Sequence, residues 1–178
     1  PAAQYNGLTG GLATLEPESS DTISFGFVFT PGFLEGFSLA VDYFDIKVDN
    51  LVGTVGADLI LRKCLDSGDP AYCGLVNRAP GSGSLWLGTT GYVTDMNVNT
   101  GSLQTKGIDL EANYRVSIGA SRLSFQWIGT QVSELVTEPL TGDPTYDCVG
   151  FYGAVCGTPV PELRSKLRAT WSSPWNLD

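Results

Sequence analysis

The sequence predicts an all-β fold, an antiparallel transmembrane β-barrel segment of about five strands with short periplasmic turns and long extracellular loops. Three observations carry this prediction. Apolar and polar residues alternate with period two along several runs, the connections between those runs alternate short and long, and the composition is rich in glycine and poor in charge. Charged residues are 16% of the 178 and 22 residues are glycine. Soluble domains carry ~25% charge, and the composition here suits many strands joined by turns. No apolar run reaches the ~18 residues of a membrane-crossing helix, so any crossing of a bilayer falls to strands.

The first run is Asp21–Thr30, where Ile23, Phe25, Phe27 and Phe29 alternate with Thr22, Ser24, Gly26 and Val28. Such alternation makes a strand with one apolar face. After a break at Pro31–Gly36, Phe37, Leu39, Val41 and Tyr43 alternate with Ser38, Ala40 and Asp42, and the two runs read as a hairpin. A long connection from about Val48 to Gly91 follows. It holds a short helix over Ala57–Leu65 and a stretch, Pro80–Ser84, that reads as flexible and without packing content.

The clearest strand runs from Tyr92 to Val116. It sets Ile108, Leu110, Ala112, Tyr114 and Val116 against Thr105, Gly107, Asp109, Glu111, Asn113 and Arg115, with a bulge expected near Asn99-Thr100-Gly101. Gly107 on the polar face suits a close backbone approach or a bend. After a turn at Ser117–Ser121, Arg122–Thr137 sets Leu123, Phe125 and Trp127 against Ser124 and Gln126. A second long connection, Glu138–Pro161, leads to a final strand, Glu162–Ser172. There Leu163, Leu167, Ala169 and Trp171 alternate with Arg164, Lys166, Arg168 and Thr170, and Pro174–Asp178 starts another turn. Short and long connections in strict alternation are the pattern of transmembrane barrels.

Charge and side-chain inventory exclude several functions. The net charge of -9 repels a phosphate backbone, so no nucleic-acid partner is expected. There is no histidine, which removes His-based triads and the commonest zinc ligand, and neither a cofactor nor a metal is expected. The four cysteines form two close pairs, Cys64 with Cys73 and Cys148 with Cys156, each bracketing a loop-like sequence. Neither has Cys-x-x-Cys spacing, and two local disulfides in an oxidising compartment are expected, with free thiols as the alternative. Asp66 and Asp69, or Asp143 and Asp147, are oxygen donors of the kind Ca²⁺ takes, but solvated turn aspartates are the favoured reading.

Five segments resemble motifs of the TonB-dependent receptors of bacterial outer membranes. These are Leu15–Asp21 (LEPESSD), Val41–Lys47 (VDYFDIK), Asn97–Tyr114 with Thr105–Leu110 (TKGIDL) at its centre, the Cys64–Cys73 loop, and Arg164–Trp171 (RSKLRATW). They cover most of the chain in the family's order. The resemblance implies a barrel wall and outer loops within a receptor for energised nutrient uptake. Its partners would be outer-membrane lipid, the rest of the barrel, a plug domain, the TonB complex acting through that plug, and a siderophore, cobalamin, oligosaccharide or peptide. Neither a plug nor a final aromatic-ended strand is visible, and the chain opens at Pro1, so residues 1–178 are expected to be part of a longer barrel.

On that reading Phe25, Phe27, Phe29, Leu39, Ile108, Leu110, Tyr114, Phe125, Trp127, Leu167 and Trp171 face lipid. Asp109, Glu111, Asn113, Arg164, Lys166 and Arg168 face the lumen. Phe29, Phe37, Tyr114, Phe125 and Trp171 flank the short turns, where an interfacial aromatic girdle belongs. Alternation alone is equally that of a soluble sheet with a solvated charged face. The competing function is a secreted adhesin or carbohydrate-binding module, which buries Phe25, Phe27, Leu110 and Phe125 in its own core and stacks sugars on Trp86, Tyr92, Phe151 and Tyr152. A hydrolase using Asp109 and Glu111 is the weakest reading, because alternate residues of one strand make no cleft.

Overall fold

The computed structural model describes residues 5–86, 89–153 and 155–175. In chain order these form β1 (Gly7–Leu8), β2 (Ser19–Phe29), β3 (Phe37–Asp49), β4 (Val52–Gly53), α1 (Ala57–Ser67) and α2 (Pro70–Cys73). There follow β5 (Val76–Asn77), β6 (Tyr92–Thr94), β7 (Val98–Asn99), β8 (Ser102–Ile118), β9 (Ser121–Glu138), β10 (Tyr146–Asp147) and β11 (Leu163–Ser172). The fold is all-β in character; the long-stranded sheet is antiparallel and does not close into a barrel. The chain divides into two compact units.

One unit comprises residues 20–48, 103–137 and 145–178 and is built on the five long strands that the alternation predicts. β2, β3, β8 and β9 are neighbours in sequence order, and β11 pairs antiparallel with β9 from Leu163↔Gln131 to Ser172↔Arg122. β10 adds to the far end of β9 through Tyr146↔Thr137 and Asp147↔Val136. The short connections at residues 30–36 and 119–120 reverse the chain between β2 and β3 and between β8 and β9. Gly119, with φ 60°, supplies the left-handed residue of the β8–β9 turn. β2, β3 and β8 outrun the prediction: β2 starts at Ser19, β3 continues to Asp49 and β8 to Ile118. The turn expected from Pro174 onward reaches residues 176–178, which lie outside the described residues.

The other unit comprises residues 1–19, 49–102 and 138–144. Its sheet has β6 at the centre, parallel to β1 and antiparallel to β5, and a separate two-strand ladder joins β4 to β7. The core is Ile60 of α1, Val93 of β6 and Ala57, all buried, with Val55, Leu61, Leu75, Val76 and Leu85 packed around them. Of the first half of the expected Tyr92–Val116 strand, Tyr92–Thr94 pair here as β6 and Val98–Asn99 as β7, and that single strand does not form. Val93 is drawn into this core, and the Asp95 carboxylate turns to accept the Gly56 N–H at 3.0 Å. Asn97 N–H then bonds Gly10 O at 2.7 Å and Thr100 N–H bonds Leu51 O at 2.7 Å. The expected bulge near Asn99 is therefore a complete break, and β8 restarts at Ser102.

Two further details of this unit depart from expectation. Pro80–Ser84 is a hydrogen-bonded turn rather than a free stretch. The N–H of Ala79, which is buried, bonds Ser84 O at 2.9 Å, and Gly83 N–H bonds Ala79 O at 2.9 Å. The helix runs two residues past Leu65 and stops at Gly68, whose left-handed φ of 65° lets its N–H cap Cys64 O at 2.9 Å. Asp69 then caps α2, its carboxylate accepting from Ala71 N–H at 2.8 Å with Pro70 in the first turn. The Asp-Pro pair signals this second helix in the sequence.

Candidate functional site

The β9–β11 register sorts the expected site residues onto two faces. Trp127 lies opposite Leu167, Phe125 opposite Ala169 and Leu123 opposite Trp171. The alternate positions set Gln126 against Arg168, Ile128 against Lys166 and Thr130 against Arg164. From β9, Thr130 Oγ1 donates to Asp109 Oδ1 of β8 at 2.6 Å and Gln126 Nε2 to Glu111 Oε1 of β8 at 3.3 Å, while Asn113 Nδ2 also reaches Glu111 Oε1 at 3.0 Å. Asp109, Glu111, Asn113, Arg164, Lys166 and Arg168 therefore share one face of the sheet. Ile128, on that face, is the apolar exception.

The opposite face is apolar and open. Phe25 and Phe27 are 69% and 61% exposed, Leu167 is 69% exposed, and Phe29, Ile108, Phe125 and Trp171 are also exposed. Leu39, Leu110, Tyr114 and Trp127 are half-buried. Phe25 and Tyr43 stack at 5.2 Å between centroids across β2 and β3. A binding module needs Phe25, Phe27, Leu110 and Phe125 to close on one another, and among the described residues the buried hydrophobic cluster contains none of them.

Beyond Ile108 this face turns polar. Lys106 Nζ lies 3.0 Å from Glu134 and 3.8 Å from Asp45, and Gln104 Nε2 donates to Asp45 Oδ1 at 2.8 Å. Ile108 to Val116 is about eight steps of ~3.4 Å, or ~27 Å of strand. Sequence reading missed the Lys106 cluster because Asp45 and Glu134 lie far from it along the chain. The one sign of it was the loss of alternating apolar residues before Ile108.

The cysteines pair as two disulfides, Cys64–Cys73 and Cys148–Cys156, with Cα atoms 4.8 and 5.4 Å apart. The first joins α1 to α2. Next to it on α1, Lys63 Nζ bonds both Asp143 oxygens at 2.7 and 2.9 Å and lies 5.4 Å from the centre of the Tyr72 ring. The Asp143 hydrogen bond holds the Lys63 pKa above the ordinary lysine value. Asp147 Oδ1 accepts from the N–H groups of Leu135 and Val149, each at 3.0 Å. Asp69, Asp143 and Asp147 thus have protein donors as partners. Replacing Cys64 and Cys73 together with serine is expected to lower stability by about 2.5 kcal/mol, the loop-closure value for a bridge of this span. Denaturant titration under oxidising and reducing conditions checks this, since only the native protein should respond to reductant at this bridge.

The chain's sequence matches the family model described as TonB dependent receptor-like, beta-barrel, over residues 1–178. The chain belongs to the TonB-dependent receptor barrel family. No curated protein matches it. The family is one of outer-membrane receptors and transporters rather than an enzyme class.

Two of the segments that resemble this family meet in the structure. Asn99 Oδ1 accepts from Glu16 N–H at 2.9 Å, and its amide nitrogen donates to Glu16 O at 2.8 Å and Asn50 O at 3.0 Å. Glu18 Oε1 accepts from Val52 N–H at 2.7 Å. One side chain thereby ties three chain segments, a role that the bulge reading of Asn99 missed. Asn99→Ala removes three solvent-exposed hydrogen bonds, each worth about 0.5 kcal/mol at the low end of the usual range, so a loss of about 1.5 kcal/mol is expected. Hydrogen exchange at Glu16 N–H should accelerate selectively in this variant.

Proposed function

We propose that this chain is part of the barrel wall and outer loops of a receptor that takes up a scarce nutrient across the outer membrane, driven through TonB. The observation that supports this best is the two-faced sheet. In this reading the apolar face, from Phe25, Phe27, Phe29 and Leu39 to Ile108, Leu110, Tyr114, Phe125, Trp127, Leu167 and Trp171, meets lipid. The face with Asp109, Glu111, Asn113, Arg164, Lys166 and Arg168 lines the lumen against a plug supplied elsewhere in the protein.

Magnitudes favour lipid over water. Burying one large apolar side chain is worth about 1.5–3 kcal/mol. Phe25, Phe27, Phe29, Leu167 and Trp171 are about half to two-thirds exposed, so leaving them in water forgoes roughly 4–9 kcal/mol, comparable to the whole stability of a typical domain. The apolar stretch Ile108–Val116, about nine residues, also suits the ~9–11 residues with which a tilted strand crosses a bilayer. Lys106, Asp45 and Glu134 then lie where the band ends, at the head-group level. The short turns lie in the periplasm, and both disulfide-bearing connections lie outside, where the ligand first arrives.

The cargo is a siderophore, a cobalamin, an oligosaccharide or a peptide, and the chain contributes recognition and wall rather than covalent chemistry. Radiolabelled representatives of the four classes, offered to cells carrying the full-length receptor with and without functional TonB, test this. Accumulation of one class, abolished without TonB, is expected. Accumulation of none, or accumulation indifferent to TonB, refutes the reading.

A further inference from the structure

On the polar face, at the end nearest the β8–β9 turn, lies a shallow depression of about 220 Å³. Asn113 and Arg115 of β8 bound one side, Arg168 and Thr170 of β11 bound the other, and Ser124 and Gln126 of β9 lie between. The β9–β11 register places Arg168 opposite Gln126 and Thr170 opposite Ser124. Two strand spacings of ~4.8 Å separate β8 from β11, so the arginines stand on backbones ~10 Å apart and border one small space. The Arg115 backbone N–H donates to Gly36 O at 3.0 Å, which fixes the strand at that position.

Neither guanidinium has a carboxylate within ion-pair distance among the described residues. The nearest acid on β8, Glu111, is held by the neutral amides of Asn113 and Gln126. Each of those amides uses one N–H on Glu111 and keeps a second. The depression therefore gathers two arginines without a carboxylate partner among the described residues, amide donors and the hydroxyls of Ser124 and Thr170. That donor set matches a compact oxyanion, for which paired guanidinium forks are the preferred protein partner.

We infer that Arg115 and Arg168 form a binding site for a small anion bearing carboxylate or phosphate oxygens. The site follows from side-chain placement alone, whichever compartment this face meets, so it stands or falls separately from the transport reading. It is tested on the full-length receptor in detergent at low ionic strength, by calorimetric titration with citrate and with inorganic phosphate. Saturable binding of at least one of them is expected, weakened at least tenfold in R115Q/R168Q and weakened by added salt. R115K/R168K keeps both charges but loses the planar forks, so it should fall between the two.

Retention of the heat-induced shift in gel migration shows that a variant still folds. If the double variant loses it, R168Q alone, on β11, serves in its place with a loss of at least threefold. The inference is overturned if neither anion binds the native receptor, the cations then being matched by the protein's own acids elsewhere. It is equally overturned if the glutamine variants bind as the native protein does.

Discussion

Leu167→Arg is expected to destabilise the receptor in a bilayer by about 2–4 kcal/mol, the cost of arginine on the lipid face of a transmembrane barrel. Leu167 is 69% exposed and lies mid-strand opposite Trp127. At a position that open in a water-soluble sheet, the same change falls within about 0.5 kcal/mol of neutral. The size of the effect therefore separates a lipid-facing sheet from a solvated one. Urea titration of the full-length receptor in liposomes, with folded protein scored by its heat-induced gel shift, gives the value. Arg168→Leu, one residue along and on the opposite face, is the control and should leave the unfolding free energy within about 0.5 kcal/mol of the native value.

Gly107→Val is expected to cost about 3 kcal/mol, the upper range for forcing extra volume into a packed site. Gly107 is buried in β8, and a Cβ there would overlap the Gln131 carbonyl oxygen and come within 2.6 Å of the Phe44 ring. The ring is a side chain and can move, but the carbonyl belongs to the β9 backbone and cannot move without disturbing the ladder. Adding Phe44→Ala to Gly107→Val should consequently recover only part of the loss. Full recovery in the double variant would show that the ring alone excludes a side chain at this position.

The long strands were legible because period-two alternation persists along much of β2, β3, β8, β9 and β11, each ten or more residues long. Side chains on a strand point alternately to two faces, so a sheet that meets two different environments writes both into its sequence. The same parity separates Asp109, Glu111 and Arg168 from Phe125 and Leu167 without any knowledge of register. The close approach at Gly107 was likewise legible, since a lone glycine inside a strong strand marks a bend, a bulge or a tight backbone contact.

The second unit was not legible for an equally physical reason. Its strands are two or three residues long, too short to show a period, and β1 pairs with β6 through Gly7↔Val93 and Leu8↔Thr94, far apart in sequence. Tyr92–Thr94 reads as one strand with the residues that follow because it is β-prone and the strongest break signal before Ser102 is Asn99-Thr100-Gly101. Only the core around Ile60 reveals that it belongs elsewhere. Asn99, Lys63 and Lys106 take their roles from partners dozens of residues away, and no local pattern announces such contacts.

The two-faced sheet is tested most directly by spin labels placed one at a time at Phe125, Leu167, Gln126 and Arg168 in the full-length receptor reconstituted in bilayers. Collision with oxygen, which concentrates in lipid, is compared with collision with a water-soluble nickel chelate. Labels at positions 125 and 167 should meet oxygen and escape nickel, while those at 126 and 168 should meet oxygen far less. Nickel access at 125 and 167 equal to that of a loop position, or protection of both from oxygen and nickel alike, would contradict a barrel wall with Phe125 and Leu167 in lipid.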